Sequence, residues 1–367
     1  MQKPSVNHKI YTVVGLMSGT SLDGIDAALI RTDGLDFVEP LAFLTVPYEA
    51  GVREALRACL GLSTDIDGRV AYAEQLMTDA HAETVLSLLH LARVNPEQVD
   101  MIGFHGQTIF HDPANHFTWQ IGDGEQLTQK TGIAVVNDFR TADVKAGGQG
   151  APLIPVYHAA LASTLEKPVA ILNIGGVSNV TLIDADGAVL AFDTGPGNAL
   201  INDWVRSHTG VEYDVDGVHA LAGTFDTAAL SRLLQNPFFE KRPPKSLDRD
   251  AWDFSFLKGL SLADGAATLT QFTVQSVLLA IEHMPCKPKA WYVTGGGRLN
   301  PAIMAGLRAA LKVPVGLVDD KGWDGDALEA QGFAYLAVRS HKGLPLSFPG
   351  TTAVPQPLTG GRYWPAP

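Results

Sequence analysis

The chain has 367 residues, 46% of them hydrophobic and 18% charged, which gives room for two ordinary domains and excludes a disordered polymer. Its formal net charge of −12 repels nucleic acid and anionic membrane, so the expected partner is a small molecule. The two cysteines, Cys59 and Cys286, lie far apart without metal-ligand spacing, as in a protein of a reducing compartment.

In chain order, residues 10–17 form an apolar stretch broken by Thr12 and Gly15. It is too short for a signal peptide or a membrane span, so a cytoplasmic location is expected. As a strand it delivers Gly19-Thr20-Ser21-Leu22-Asp23-Gly24, after which Ile25 and Asp26 lead into a second apolar run. Glycine lets backbone N–H groups approach an anion, Ser18, Thr20 and Ser21 add hydroxyls, and Asp23 offers a hard oxygen to a metal. The same residues also suit a plain hairpin turn, and the segment by itself supports either.

Periodicity predicts a helix over 69–92. The glycine-rich stretch 145–152 reads as a domain hinge. A second buried strand, 169–172, delivers Asn173-Ile174-Gly175-Gly176, where paired glycines allow close approach of a ligand or a tight bend. Asp193 follows at a strand end, ahead of Gly195-Pro196-Gly197 and of Asn198, which precedes a helix over 199–205. Further helices are predicted over 262–283, 301–311 and 326–339, with Asn300 and Pro301 marking the start of the second. A third strand, 291–293, ends in Gly295-Gly296-Gly297, a run so costly in backbone entropy that close packing against something, such as an adenine, is expected. The tail 342–367 reads as an irregular extension. Strands alternating with helices give an α/β architecture. No P-loop, dinucleotide fingerprint, HExxH or GxSxG is present, which removes those enzyme classes.

Several glycine loops spread over both halves, without a P-loop, are similar to the actin-like ATPases, which include sugar kinases. GLMSGTSLDGID at 15–26, FHGQTIFHDP at 104–113, NDFR at 137–140, AGGQGAPLIPVYH at 146–158, NIGGVSN at 173–179, FDTGPGN at 192–198 and VTGGGRLN at 293–300, with the stretch 326–336, together resemble the anhydro-N-acetylmuramic acid kinase family.

The resemblance implies two ribonuclease-H-like domains with an interdomain cleft that holds ATP and Mg²⁺. The lobes are expected at 1–137 plus about 325–367, and at 138–324. It also implies a homodimer that acts on an amino sugar, opening its anhydro ring and phosphorylating O6 in cell-wall recycling. Asp193 matches the family's catalytic base and Glu329 a carboxylate of the substrate pocket. The turn from Gly19 to Asp26 matches its ATP-binding motif, with Asp23 toward the metal; Gly175, Gly176, Gly195, Gly197, Asn198, Gly295, Gly296 and Gly297 are further nucleotide candidates. His105, Gln107, Thr108, Arg140 and Asn173 are candidates for the sugar, and Thr141 and Ala142 stand where relatives often carry further arginines. Two rival expectations are an actin-like ATPase that couples hydrolysis to a partner, and a glycosidase using Asp193 and Glu329 without nucleotide.

Overall fold

The computed structural model describes residues 9–247 and 252–367. The chain divides into two compact units, residues 1–163 with 327–367, and residues 164–326.

In the first unit β1 (Tyr11–Met17), β2 (Gly24–Thr32) and β3 (Val38–Pro47) form an antiparallel meander. β4 (Met101–Phe104) adds parallel to β1, after which comes a separate hairpin of β5 (Gln107–Asp112) and β6 (Phe117–Ile121). β7 (Val135–Asn137) adds parallel to β4, and the strand Arg362–Trp364 closes that edge antiparallel to β7. Helix Leu328–His341 lies on the β1–β4 surface because the paired residues Gly15 and Gly103 carry no side chain there. A Cβ on either would collide with the helix carbonyls of Ala330 and Phe333. Helix Arg69–Ala92 packs on β2 and β3, so the central strands are covered on both faces, which is why they read as nearly continuous apolar runs.

In the second unit β8 (Val169–Ile174), β9 (Val177–Ile183) and β10 (Val189–Pro196) form another antiparallel meander. β11 (Ala290–Thr294) adds parallel to β8, and β12 (Val315–Leu317) parallel to β11. Each sheet therefore contains a meander whose first strand gains two parallel neighbours in turn, the ribonuclease-H-like order. The expected duplication of that core is present, although no repeat is legible in the sequence. Helices Ala199–Thr209, Leu262–Ile281 and Pro301–Leu311 enclose the second core, around Trp204, Phe272 and Trp291.

Two local expectations are corrected. The stretch 145–152 is no free hinge: Gly150 N–H donates to Asp143 Oδ1 (2.6 Å), Thr352 Oγ1 to Asp143 Oδ2 (2.6 Å), and Gln149 N–H to the Thr352 carbonyl (2.6 Å). These bonds tie 143–150 to the C-terminal segment, and the first unit runs on to residue 163, past the expected lobe boundary at 137/138. The tail likewise supplies a sheet strand, Arg362–Trp364, rather than a purely irregular extension.

Candidate functional site

In the first unit, the turn that joins β1 to β2 is closed by a hydrogen bond from Leu22 N–H to the Gly19 carbonyl, 3.1 Å. Leu22 takes a left-handed backbone (φ 58°) while its side chain is buried in the core, as is that of Ile25. Neither side chain can meet a ligand. Ser18 also points inward, donating from Oγ to Gln107 Oε1 at 2.7 Å. Thr20, Ser21 and Asp23 are exposed, so they and Gly19 are the parts of the turn on display. Asp26, on β2, accepts from Thr45 Oγ1 at 2.6 Å.

Beside the turn, a cavity of about 380 Å³ is lined by Gly19, Thr20, His105, Thr108, His111 and Arg140 among others. His105 Nε2 accepts from Arg140 Nε (3.1 Å) and Nη2 (3.0 Å), while its Nδ1–H donates to the Gly106 carbonyl at 2.7 Å. That pattern needs a neutral ring, and burial with the neighbouring guanidinium holds the His105 pKa well below its ordinary value. His105 therefore orients Arg140, whose Nη1 is fixed by the Gly150 carbonyl at 2.7 Å. Burial lowers the Arg140 pKa to about 10, with Glu329 and Asp143 acting the other way.

Glu329, at the start of helix Leu328–His341, is reached by solvent yet crowded by protein. Crowding raises its carboxyl pKa, Arg140 opposes the shift and Asp26 adds to it. Of the sugar candidates in this unit, His105, Thr108 and Arg140 share the cavity; Gln107 is fully buried against Ser18 and is not among its lining residues.

In the second unit the register places Asp193 opposite Asn179, Asn179 opposite Asn173, and Asn173 opposite Thr294. Directly opposed residues share a sheet face, so these four polar residues form one row. Asp193 sits where β10 breaks register before Gly195. Its Oδ2 accepts from Leu247 N–H (2.7 Å), and its own N–H donates to the Lys245 carbonyl (2.9 Å). Burial pushes the Asp193 carboxyl up to about 7, partly offset by the Leu247 N–H and by Lys245. Burial also brings the Lys245 ammonium down to about 8.

Lys245 and Asn179 were not singled out from the sequence. Lys245 lies far from any motif and gave no signal, whereas pairing the strands that flank Gly175-Gly176 puts Asn179 beside Asn173, and pairing the second of them with the strand that carries Asp193 puts it beside Asp193.

The glycine loops separate into two kinds. At Gly24, Gly195, Gly197, Gly295 and Gly297 an added Cβ would collide with Val46, Ser276, Gly175, Asn173 and Ile174 respectively, so the fold itself demands glycine. The close packing expected of the triple glycine is thus, for two of its three members, packing against β8. At Gly19, Gly175, Gly176 and Gly296 a Cβ would meet nothing nearer than 3.7, 3.5, 3.5 and 3.4 Å, and none of the four has the left-handed backbone. Those four have room for a Cβ at ordinary contact distance. Asn198 does not cap the helix that follows it; its Nδ2 lies next to Gly296, and its N–H donates to the Gly175 carbonyl at 2.8 Å.

Among the described residues no group of three or more His, Cys, Asp or Glu is placed to hold a metal ion. Asp23 offers one exposed carboxylate, which suits a Mg²⁺ bound mainly by phosphates and water. No described helix is long and apolar enough to cross a membrane.

A family model described as anhydro-N-acetylmuramic acid kinase matches residues 11–366. An anhydro-N-acetylmuramic acid kinase of Rhizorhabdus wittichii is 54% identical over 354 residues, covering 95% of this chain and 97% of that one. Another, from Rhodospirillum rubrum, is 54% identical over 355 residues, covering 96% and 94%. Among solved structures, component A of (R)-2-hydroxyglutaryl-CoA dehydratase from Acidaminococcus fermentans aligns over 90% of this chain and 99% of that one, with 14% identity and a TM-score of 0.48.

Proposed function

Since the chain belongs to the anhydro-N-acetylmuramic acid kinase family, and so is an enzyme that phosphorylates an alcohol acceptor, we propose that it opens the 1,6-anhydro ring of anhydro-N-acetylmuramic acid with water and phosphorylates O6, forming N-acetylmuramic acid 6-phosphate and ADP from ATP. The observation that carries this reading is Asp193, set at the register break of β10 with one carboxyl oxygen fixed by Leu247 N–H, where burial pushes its pKa up to about 7, the range in which a general base works best in a neutral cell.

Glycosidic hydrolysis ordinarily takes one carboxyl group to activate water and another to protonate the leaving oxygen. In this reaction Asp193 takes a proton from water, whose oxygen bonds to C1. The C1–O6 bond breaks with its electron pair going to O6. O6 then bonds to the γ-phosphorus as the bridging bond to ADP breaks, so phosphorus replaces the second acid. Base catalysis supplies roughly 10²–10⁴-fold, and the larger share comes from alignment and from donors aimed at the phosphoryl oxygens. The open glycines Gly19, Gly175, Gly176 and Gly296 admit the nucleotide to the backbone. Arg140, oriented by His105, receives the substrate carboxylate, while Glu329 and Asn173 orient the sugar. Asp23 would hold Mg²⁺ through water, and the ion would supply charge neutralisation at the phosphates. The family resemblance supports a homodimer working in cytoplasmic recycling of cell-wall fragments.

Incubation with anhydro-N-acetylmuramic acid, ATP-Mg²⁺ and ¹⁸O-water tests the proposal by mass spectrometry of the products. Label is expected at C1 and phosphate at O6, with no ring opening when ATP is left out. Ring opening without nucleotide, or label found in free phosphate with the sugar unchanged, overturns it.

A further inference from the structure

Tyr48 follows the end of β3, and its side chain is buried. Its hydroxyl lies 2.8 Å from Ser18 Oγ, and Ser18 Oγ lies 2.7 Å from Gln107 Oε1. The direction of this chain follows from its far end. Gln107 Nε2–H donates to the Thr108 carbonyl (3.3 Å), which fixes the amide, and Oε1 can then only accept. Ser18 has one proton, and it goes to Oε1, so the O–H between Tyr48 and Ser18 belongs to Tyr48. Burial raises the Tyr48 pKa, which keeps that proton in place. The same residue's backbone N–H donates to the Asp23 carbonyl at 3.2 Å. Ser18 and Asp23 are the two ends of the turn between β1 and β2. One residue ties down both.

We propose that Tyr48 is a positioning residue for ATP: it clamps the Ser18–Asp23 turn from both ends and, with Gln107, commits the hydroxyl of Ser18, a residue that lines the cavity beside the turn, to the protein rather than to the phosphates. This deepens the reading of that turn as the phosphate-gripping loop and rests on it. The phosphates are left to the turn's N–H groups and to the exposed hydroxyls of Thr20 and Ser21. A hydroxyl that has already donated its proton to a buried amide has none for an anion.

The test is steady-state kinetics of Tyr48→Phe, Ser18→Ala and the double variant, with Gly19→Val alongside. Phe keeps the ring and the backbone bond to Asp23 and removes only the hydroxyl. Each single variant is expected to raise the KM for ATP about five- to tenfold and to leave the KM for the anhydro-sugar within about twofold. The double variant should be no worse than either single, because both cut one link. Gly19→Val brings its Cβ near only Ser21 Oγ, at 3.7 Å, and fills the space beside the turn, so it should raise the KM for ATP more than about tenfold. If Gly19→Val has that effect and Tyr48→Phe leaves the KM for ATP unchanged, the clamp is wrong and the loop reading stands. Should Gly19→Val also have no effect, the loop reading fails as well. A Tyr48→Phe enzyme with both KM values raised equally overturns the clamp, since a general loss of packing would do the same. Ser18→Ala reads the same link from its other end if Tyr48→Phe does not fold.

Discussion

Asp193 pairs a carboxyl pKa of about 7 with a backbone donor, Leu247 N–H, fixed on one oxygen. Because the base must be ionised, kcat/KM should fall as the pH drops below about 7, with the slope of one proton; a flat profile from pH 5 to 8 removes Asp193 from that role. Asp193→Asn should lower kcat by about 10²–10⁴-fold while leaving ATP binding in place. Stability has a definite sign too. The folded carboxyl holds its proton up to about pH 7, whereas the unfolded one loses it near 4, so stability falls as pH rises between those values and then levels. Asp193→Asn should therefore gain about 1–2 kcal/mol at pH 8 and nothing at pH 4, read from urea midpoints. The gain is held to that size because solvent still reaches the side chain. Asp193 is a candidate from the sequence because a carboxylate between two glycine loops stands out there, and its role as the base rests on the pH profile and the Asp193→Asn variant. Lys245 was not, since its place beside Asp193 depends on a long excursion after β10. Gln107 misled because a polar residue after a strand looks available, and only the fold shows Ser18 occupying it.

At the scale of elements, glycine-punctuated apolar runs gave the strand ends, and the helices over 69–92 and 301–311 match their expected bounds. What the runs could not give is the neighbour each glycine faces. A Cβ on Gly297 would run into Ile174, whereas one on Gly296 would come no nearer than 3.4 Å, to Asn198 Nδ2, though the two are adjacent in the chain. Gly297→Ala should thus cost about 1–3 kcal/mol of stability, as overpacking does, whereas Gly296→Ala should stay within about 0.5 kcal/mol. Equal losses in the two, by denaturant titration, would refute the division into glycines kept for packing and glycines left open. The stretch 145–152 was misjudged for a related reason. Its glycines signal freedom, but Asp143 and Thr352, more than 200 positions apart, hold it down.

For the whole molecule, the expectation of two similar halves was right in architecture and could not be exact in its seams. A boundary depends on which long-range contacts win, and the first unit recovers residues 138–163 through contacts made by the chain's own end. The second unit is continuous, 164–326, whereas the first is split and needs helix Leu328–His341 over β1 and β4. Residues 164–326 made alone should give dispersed amide NMR signals and a cooperative melt, while residues 1–163 alone should not. A folded 1–163 fragment would contradict the covering role assigned to that helix.

Nesting of one unit inside the other also sets an order of events on the ribosome. At about 5–20 residues per second, the stretch 164–326 takes about 8–30 s to emerge after the opening segment is out. Throughout that interval the nascent β1–β4 surface, shaped by Gly15 and Gly103 to receive a helix, faces water or a chaperone. The inner unit can finish while the outer one waits, and cellular yield should respond most to whatever shields that uncovered surface.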